Sequence, residues 1–153
     1  MKTTTLEEAI EQERFSSEEE KALVNIIFTG NWVQHKLQTF FKQFEGLTHQ
    51  QYNVLRILKG QNGKPLSLLE IKRRMLDPNS DTSRIIDRMV SKGMIHRSIC
   101  ADDRRQIELR IEPRGEALLG RIGESHLQLF ESLAQLPVER LRTLNLLLDE
   151  ARG

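Results

Sequence analysis

The sequence predicts a mainly α-helical protein with one small β-hairpin, and two patterns carry this prediction. Four times in the first half of the chain, a hydroxyl residue stands three positions before a glutamate or glutamine, the spacing of a helix N-terminal capping box. These pairs are Thr5 and Glu8, Ser16 and Glu19, Thr48 and Gln51, and Ser67 and Glu70. Between residues 81 and 111, an amphipathic helix pattern and a glycine precede two short apolar runs around a charged turn. Helix, strand, turn and strand in that order are the plan of a winged helix-turn-helix.

Two helices are predicted before the second half of the chain begins. A short helix follows Thr5, and a long one runs from Ser17 to about Phe44. Apolar residues recur every three or four positions along the long helix and form one stripe. The stripe consists of Leu23, Ile26, Ile27, Gly30, Val33, Leu37, Phe40, Phe41 and Phe44.

The central segment predicts three helices and the hairpin. A helix starts at Thr48 and ends before Gly60, and a second spans Ser67–Leu76 with Leu68, Ile71 and Met75 directed inward. Next come the turn Asp77-Pro78-Asn79 and a helix over Asp81–Lys92 that Gly93 closes. The two strands of the hairpin then span Met94–Ile99 and Gln106–Ile111.

The C-terminal segment predicts two further helices rich in leucine. One begins at Pro113 and runs to about Leu136, and the last begins at Pro137. A monomer of 153 residues has difficulty covering the apolar faces of these helices together with the long N-terminal one. A second copy of the chain is the expected partner, and an intrachain bundle is the alternative.

Composition excludes several classes of protein. No apolar run approaches the roughly 20 residues of a membrane-spanning helix, and the polar N-terminus has no secretory-signal core, so we expect a cytoplasmic location. The single cysteine excludes an intrachain disulfide framework.

Net charge is only +1, but residues 64–115 hold 12 Lys/Arg against 8 Asp/Glu, so the basic excess lies around the predicted helix-turn-helix.

The helix predicted over Asp81–Lys92 has the two faces that a DNA-reading helix needs. At 100° per residue, the polar residues Ser80, Arg84, Asp87, Arg88 and Ser91 share about one third of the circumference. The apolar residues Ile85, Ile86, Met89 and Val90 lie opposite. Such a helix docks on its own domain and offers arginines to the major groove, while Ser80, Thr82 and Ser83 suit a phosphate at the helix N-terminus. The alternative is an ordinary solvated surface helix.

The charged turn of the hairpin is a second candidate contact. Arg104 and Arg105 at a hairpin tip suit a narrow minor groove, whose negative potential attracts guanidinium groups. Asp103 is expected to pair with Arg105 and to orient it. The alternative is a plain polar hairpin tip.

The central motifs resemble those of the MarR family of bacterial transcription regulators. The family's wing pattern is similar to Asp103-Arg104-Arg105 followed by Ile111-Glu112 and Gly115, although the family usually has threonine at the position of Glu112. Its recognition-helix pattern is similar to Ser83-Arg84-Ile85-Ile86-Asp87-Arg88-Met89 followed by Lys92-Gly93. The resemblance covers about residues 48–119. It implies a homodimer that binds a near-palindromic DNA site and is regulated by a small ligand or an oxidant.

With this resemblance, the chain is expected to be a single MarR-type domain over residues 1–153. Residues 1–46 would be N-terminal dimerisation helices, residues 47–112 the winged helix-turn-helix DNA-binding lobe, and residues 113–153 C-terminal dimerisation helices. The fold class is therefore mainly α with a small β-hairpin wing.

Two further sets of residues are weaker candidates. Cys100 at the base of the wing invites a redox-sensor interpretation, but a lone cysteine is more often a small apolar residue, and the chain has no resolving cysteine. A ligand pocket between the dimerisation helices and the DNA-binding lobe would use Trp32, His35, Phe40 and Tyr52, which are otherwise core residues.

The function expected from the sequence is that of a dimeric, sequence-specific DNA-binding transcriptional regulator, a repressor released by a small ligand. The histidines have no metal-ligand spacing and no nucleophile–base arrangement is present, so we expect no metal, no cofactor and no enzyme activity. The alternatives are a winged-helix protein–protein interaction module that does not bind DNA, and a regulator that senses oxidants through Cys100.

Overall fold

The computed structural model describes residues 4–100, 106–133 and 135–153. Within these residues the chain is mainly helical and carries one antiparallel hairpin, so the predicted fold class is confirmed. In chain order, the elements are α1 (Leu6–Ile10), α2 (Glu18–Lys42), α3 (His49–Lys59), α4 (Leu68–Arg74), α5 (Thr82–Ser91), β1 (Ile95–Ile99), β2 (Ile107–Ile111), α6 (Pro113–Leu133) and α7 (Val138–Arg152). The chain divides into two compact units, residues 1–39 and residues 40–153.

Three of the four predicted capping boxes are present, and one is displaced by a residue. Thr5, Thr48 and Ser67 each cap a helix as predicted. At the start of α2, however, the Ser17 hydroxyl accepts from the Glu20 N–H and the Glu20 carboxylate accepts from the Ser16 N–H. The predicted pairing of Ser16 with Glu19 is therefore wrong, because the adjacent serine and glutamate offer the same three-residue spacing.

In the first unit, much of the apolar stripe of α2 faces solvent. Leu23, Ile26 and Ile27 are 60%, 47% and 55% exposed. Leu37, further along the helix, is buried at 7%. The regular spacing of the stripe thus correctly predicts a helix, but it does not predict which part of the stripe this chain covers by itself.

The second unit is built around the helix-turn-helix and the hairpin. Its fully buried side chains come from every element from α3 to α6, among them Val54, Leu55, Ile71, Ile86, Met89, Leu109, Leu118 and Ile122. Ile71 and Met75 of the α4 region are buried as predicted. Leu68 is 37% exposed, so the prediction that it faces inward is wrong, because the first turn of α4 projects it away from this core.

The hairpin closes the lobe beside α5. β1 pairs with β2 from Ile95 opposite Ile111 to Ile99 opposite Ile107, and the Cys100 N–H extends the ladder by donating to the Gln106 carbonyl at 2.9 Å. Leu66 adds a single bridge to Leu109, with N–H···O distances of 3.0 and 2.8 Å in the two directions. Leu66 thus extends the hairpin by one bridged residue on the side of β2.

The last helix remains largely uncovered by its own chain. All residues of α7 are described and none of them is buried; Leu144, Leu146 and Leu147 are 44%, 57% and 56% exposed. None of the described helices has both the length and the hydropathy of a membrane span.

Candidate nucleic-acid interface

Local hydrogen bonds determine where α5 begins and ends. The Asp81 carboxylate accepts from the Arg84 N–H at 3.1 Å and so caps the first turn. At the other end, Lys92 is the C-cap and Gly93 adopts φ +68°, a left-handed conformation that a residue without a side chain adopts freely. The start at Thr82 and the glycine stop agree with the sequence prediction to within a residue.

The two faces of α5 differ sharply in exposure. Ile86 and Met89 are completely buried, whereas Ser83, Arg84 and Arg88 are exposed. Burial of the apolar side chains holds the helix on its lobe and leaves the guanidinium groups free of the core. The arrangement predicted from the helical wheel is thus present, and it offers two arginines on one solvent-facing surface.

The polar residues at the start of α5 are not equivalent. Thr82 is only 3% exposed and its hydroxyl donates to the Ser80 carbonyl at 3.3 Å, so its proposed DNA contact is withdrawn. Ser80 is half-buried and its hydroxyl donates to the Asp77 carbonyl at 2.7 Å. Ser83 is therefore the exposed hydroxyl among the three candidates.

The turn between α4 and α5 is organised by Asp77. Its carboxylate accepts from the Asn79 N–H at 2.9 Å, and its carbonyl accepts from the Ser80 N–H at 3.2 Å. The Leu76 N–H just before the turn donates to the Asn53 side chain of α3 at 2.9 Å. Sequence reasoning missed Asn53, because nothing in a separation of 23 residues signals this contact.

Asp87 lies on the same polar face as the arginines, but it has its own partner. The Arg97 guanidinium of β1 donates to the Asp87 carboxylate at 2.5 Å. This pair compensates the negative charge of Asp87, which would otherwise oppose an approaching phosphate. Exposed cations also lie on α4, which packs against α5, and at the end of α5: Lys72, Arg73, Arg74 and Lys92.

The wing candidates Asp103, Arg104 and Arg105 lie outside the described residues, and their DNA contacts stay a prediction. Cys100, at the end of β1, is a free and half-buried thiol. Its backbone belongs to the hairpin ladder.

The four candidate ligand-pocket residues have different surroundings. In the first unit, Trp32 lines a groove of about 410 Å³ together with Leu6, Phe28 and other residues of α1 and α2, and His35 is exposed on α2. In the second unit, Phe40 contacts Phe41 edge to face at 5.1 Å, and Tyr52 is 8% exposed.

Tyr52 belongs to a cluster of rings that joins the end of α2, α3 and α6. It stacks on Phe41 with 4.3 Å between ring centroids, and its hydroxyl lies 3.1 Å from Nε2 of His126. His49 also stacks on Phe41 with 5.8 Å between ring centroids, and Phe130 contacts His126 edge to face at 4.0 Å.

The two histidines of this cluster should make stability depend on pH. Burial lowers the pKa of His49 below its usual value of 6.5. Burial lowers the pKa of His126 as well, and the charges of Arg56 and His49 add to the effect. The unfolded chain therefore binds more protons than the folded one below pH 6.5. Stability should be fully present above that pH and should decline as the pH falls through the lowered pKa values.

Thermal unfolding between pH 7.5 and 5.5 tests this expectation. Tm should fall over this range in the wild type and less steeply in His126→Gln, which removes one titrating ring. His35→Gln, at an exposed histidine of α2, is the matched control and should follow the wild-type profile. Equal slopes for the wild type and His126→Gln would contradict the expectation.

Comparison with known proteins gives a family match for the central segment of the chain. The model of the MarR family matches residues 47–107, which span α3, the helix-turn-helix and the first residue of β2. A search of curated proteins found no match.

Several solved structures share the fold. A MarR transcription factor from Planctomyces limnophilus is 29% identical, with 89% of this chain and 98% of that one covered and a TM-score of 0.67. AbsC, a MarR family transcriptional regulator from Streptomyces coelicolor, is 20% identical, with 92% and 96% covered and a TM-score of 0.80. A mutant MarR from E. coli complexed with operator DNA is 20% identical, with 92% and 100% covered and a TM-score of 0.76. The chain therefore has the winged-helix fold of these MarR regulators, and its residues 47–107 match the MarR family model.

Proposed function

We propose that this protein is a homodimeric, sequence-specific DNA-binding transcription regulator whose α5 enters the major groove. The observation that carries the proposal is the division of α5 into a buried apolar face and an exposed face with Arg84 and Arg88. An arginine can donate two hydrogen bonds to a guanine edge or hold a phosphate. Ser83, one turn earlier than Asp87, adds an exposed hydroxyl at the end of the helix that would meet the DNA backbone.

The surroundings of α5 support a DNA partner over a neutral protein partner. Exposed basic residues of α4 extend the positive surface beyond the helix, and Arg97 compensates Asp87 within it. The E. coli MarR mutant with the same fold is complexed with operator DNA. Arg104 and Arg105 remain the proposed minor-groove contacts, with Asp103 as the proposed partner of Arg105.

The homodimer is proposed from the uncovered apolar faces. Leu23, Ile26 and Ile27 on α2, together with Leu146 and Leu147 on α7, are each between 47% and 60% exposed. Large exposed apolar side chains that are grouped on a helix are typical of a protein interface. A twofold dimer would present two copies of α5 to two half-sites of a near-palindromic operator.

Repression relieved by a small ligand is the proposed mode of regulation. Among the described residues, the groove beside Trp32 and the ring cluster around Tyr52 are the candidate effector sites. DNA-site selection with the purified protein, repeated with candidate aromatic ligands, tests both parts. A ligand that releases the selected DNA identifies the effector, and loss of release in Trp32→Ala or Tyr52→Phe assigns its site.

Arginine substitutions on α5 test the DNA-binding proposal. Arg84→Ala and Arg88→Ala should each weaken binding to the selected site by about tenfold or more, because each removes a contact to a base edge or a phosphate. Fluorescence anisotropy at several salt concentrations measures the affinity and its salt dependence.

Arg142→Ala is the matched control, since Arg142 is an exposed arginine of α7 far along the chain from the helix-turn-helix. It should bind DNA like the wild type. If both α5 variants retain wild-type affinity, or if the wild-type affinity does not fall as salt rises, α5 is not the DNA-reading helix. A protein partner for the lobe would then be the better explanation.

A further inference from the structure

Arg114, at the start of α6, makes two hydrogen bonds in different directions. Its Nη1 donates to the Lys92 carbonyl at 2.8 Å, and its Nη2 donates to the Glu45 carboxylate at 3.0 Å. Lys92 is the C-cap of α5, so its carbonyl belongs to the negative end of that helix, where few partners are available. A cation at this end is favourable because it opposes the partial negative charge of the helix dipole.

Glu45 fixes the position of Arg114 from the turn between α2 and α3. One carboxylate oxygen accepts a hydrogen bond from Arg114, and the other accepts one from Arg121, which lies about two turns further along α6. These two hydrogen bonds lower the pKa of the Glu45 carboxyl, with Arg114 contributing the larger part. The carboxylate is therefore ionised at neutral pH and able to hold both guanidinium groups.

The backbone of Glu45 indicates that its side chain is needed there. Its φ is +56°, a left-handed conformation that is unfavourable for a residue with a Cβ and free for glycine. Gly46 adopts φ +67° at the next position. A glycine at position 45 would thus relieve the backbone, but it would remove the carboxylate that binds Arg114 and Arg121.

We propose that Arg114, held by Glu45, is a positioning residue that fixes the C-terminal end of the recognition helix and hence the direction in which Arg84 and Arg88 project. The inference rests on the proposed function, since it gives α5 the role of reading DNA. Arg114 acts through the Lys92 carbonyl and does not itself contact the DNA. The cluster of Glu45, Arg114 and Arg121 joins the α2–α3 turn, the end of α5 and the first turns of α6.

Arg114→Ala and Arg121→Ala form a matched pair, because both lose a bond to Glu45 but only the first releases Lys92. Arg114→Ala should weaken DNA binding by about fivefold to tenfold, because the end of α5 loses its hydrogen bond to Arg114 and a typical intramolecular hydrogen bond contributes a factor of about this size. Arg121→Ala should change affinity by less than about twofold, as is usual for an exposed ion pair. Arg114→Lys should restore part of the affinity, since the ammonium can reach one partner but not both.

The salt dependence separates positioning from direct contact. If Arg114 bound a phosphate, its loss would reduce the slope of log affinity against log salt by about 0.9. Positioning predicts an unchanged slope in Arg114→Ala, and a slope reduced by that amount would overturn the proposal.

Hydrogen exchange on the free protein tests the same inference without DNA. The Lys92 and Gly93 amides donate to the Arg88 and Val90 carbonyls and close the helix. They should exchange faster in Arg114→Ala than in the wild type, and at the wild-type rate in Arg121→Ala. Equal rates in the two variants would overturn the inference. If exchange changes as expected but the wild type binds no DNA, the proposed function fails while the positioning of α5 stands.

Glu45→Gly separates a loss of DNA affinity from a loss of stability. The substitution relieves the left-handed backbone, so Tm should stay level or rise, while DNA affinity should fall as in Arg114→Ala. A variant that keeps both its Tm and its affinity would contradict the role assigned to Glu45.

Discussion

Phe41→Ala is expected to lower the free energy of unfolding by about 3–5 kcal/mol, which is the range for truncating a buried phenylalanine. Phe41 is completely buried and lies at the centre of the ring cluster, stacked on Tyr52 and close to His49 and His126. The truncation removes the apolar area of the ring and leaves a cavity bounded by α3 and α6. The neighbouring rings belong to different elements and cannot all move inward, so the cavity should close only in part.

Urea-induced unfolding followed by circular dichroism measures this change. Phe41→Leu keeps most of the apolar volume and should cost clearly less than the alanine variant. Leu69→Ala, at a side chain of α4 that is 56% exposed, is the surface control and should stay within about 0.5 kcal/mol of the wild type. A loss below about 1 kcal/mol in Phe41→Ala would show that the ring cluster does not stabilise the second unit in the way its geometry indicates.

Gly115→Ala is expected to destabilise the same unit because the lobe leaves no room for a methyl group at this position. A Cβ on Gly115 would lie 2.6 Å from the Met94 carbonyl oxygen and 3.0 Å from side-chain atoms of both Ile111 and Leu55. The first of these is a backbone atom at the junction of α5 and β1, so it cannot turn away as the end of a side chain can. Overpacking of this kind costs about 1–3 kcal/mol, or more where the backbone must shift.

Gly120→Ala in the same helix is the matched control, and its expected effect on stability has the opposite sign. Nothing lies within 4 Å of a Cβ built on Gly120, and alanine favours a helix over glycine by about 0.5–1 kcal/mol. Thermal unfolding should therefore show a lower Tm for Gly115→Ala and a slightly higher Tm for Gly120→Ala. If both substitutions raise Tm, α6 does not lie as close to the Met94 carbonyl as the structure places it.

The elements of the chain were predictable because their signals are local. A capping hydroxyl and its partner are three residues apart, and the amphipathic pattern of α5 repeats every three or four residues, so both can be seen within one turn. The prediction fails by one residue at Ser17 because two overlapping pairs satisfy the same rule. The glycine at position 93 was likewise predictable as the end of α5, and its φ of +68° is the conformation that the rule requires.

The candidate site was predictable in outline but not in detail. The wheel correctly places Arg84 and Arg88 on the exposed face of α5. It does not reveal that Thr82 is buried, because burial at the first turn depends on the elements packed around it. The helical wheel also cannot predict that Asp87 pairs with Arg97, because that contact forms only when β1 folds back beside α5.

By itself, the sequence determined the order of the helices and the hairpin, the amphipathic character of α5 and the family resemblance of the central segment. Only the tertiary structure decided the partners of charged and aromatic groups, such as Arg114 with Glu45 across 69 residues and Tyr52 with His126 across 74. The physical reason is the separation in sequence over which each interaction acts. Caps and helical periodicity arise between residues a few positions apart, whereas burial and ion pairs depend on how distant elements are brought together, which no local spacing encodes.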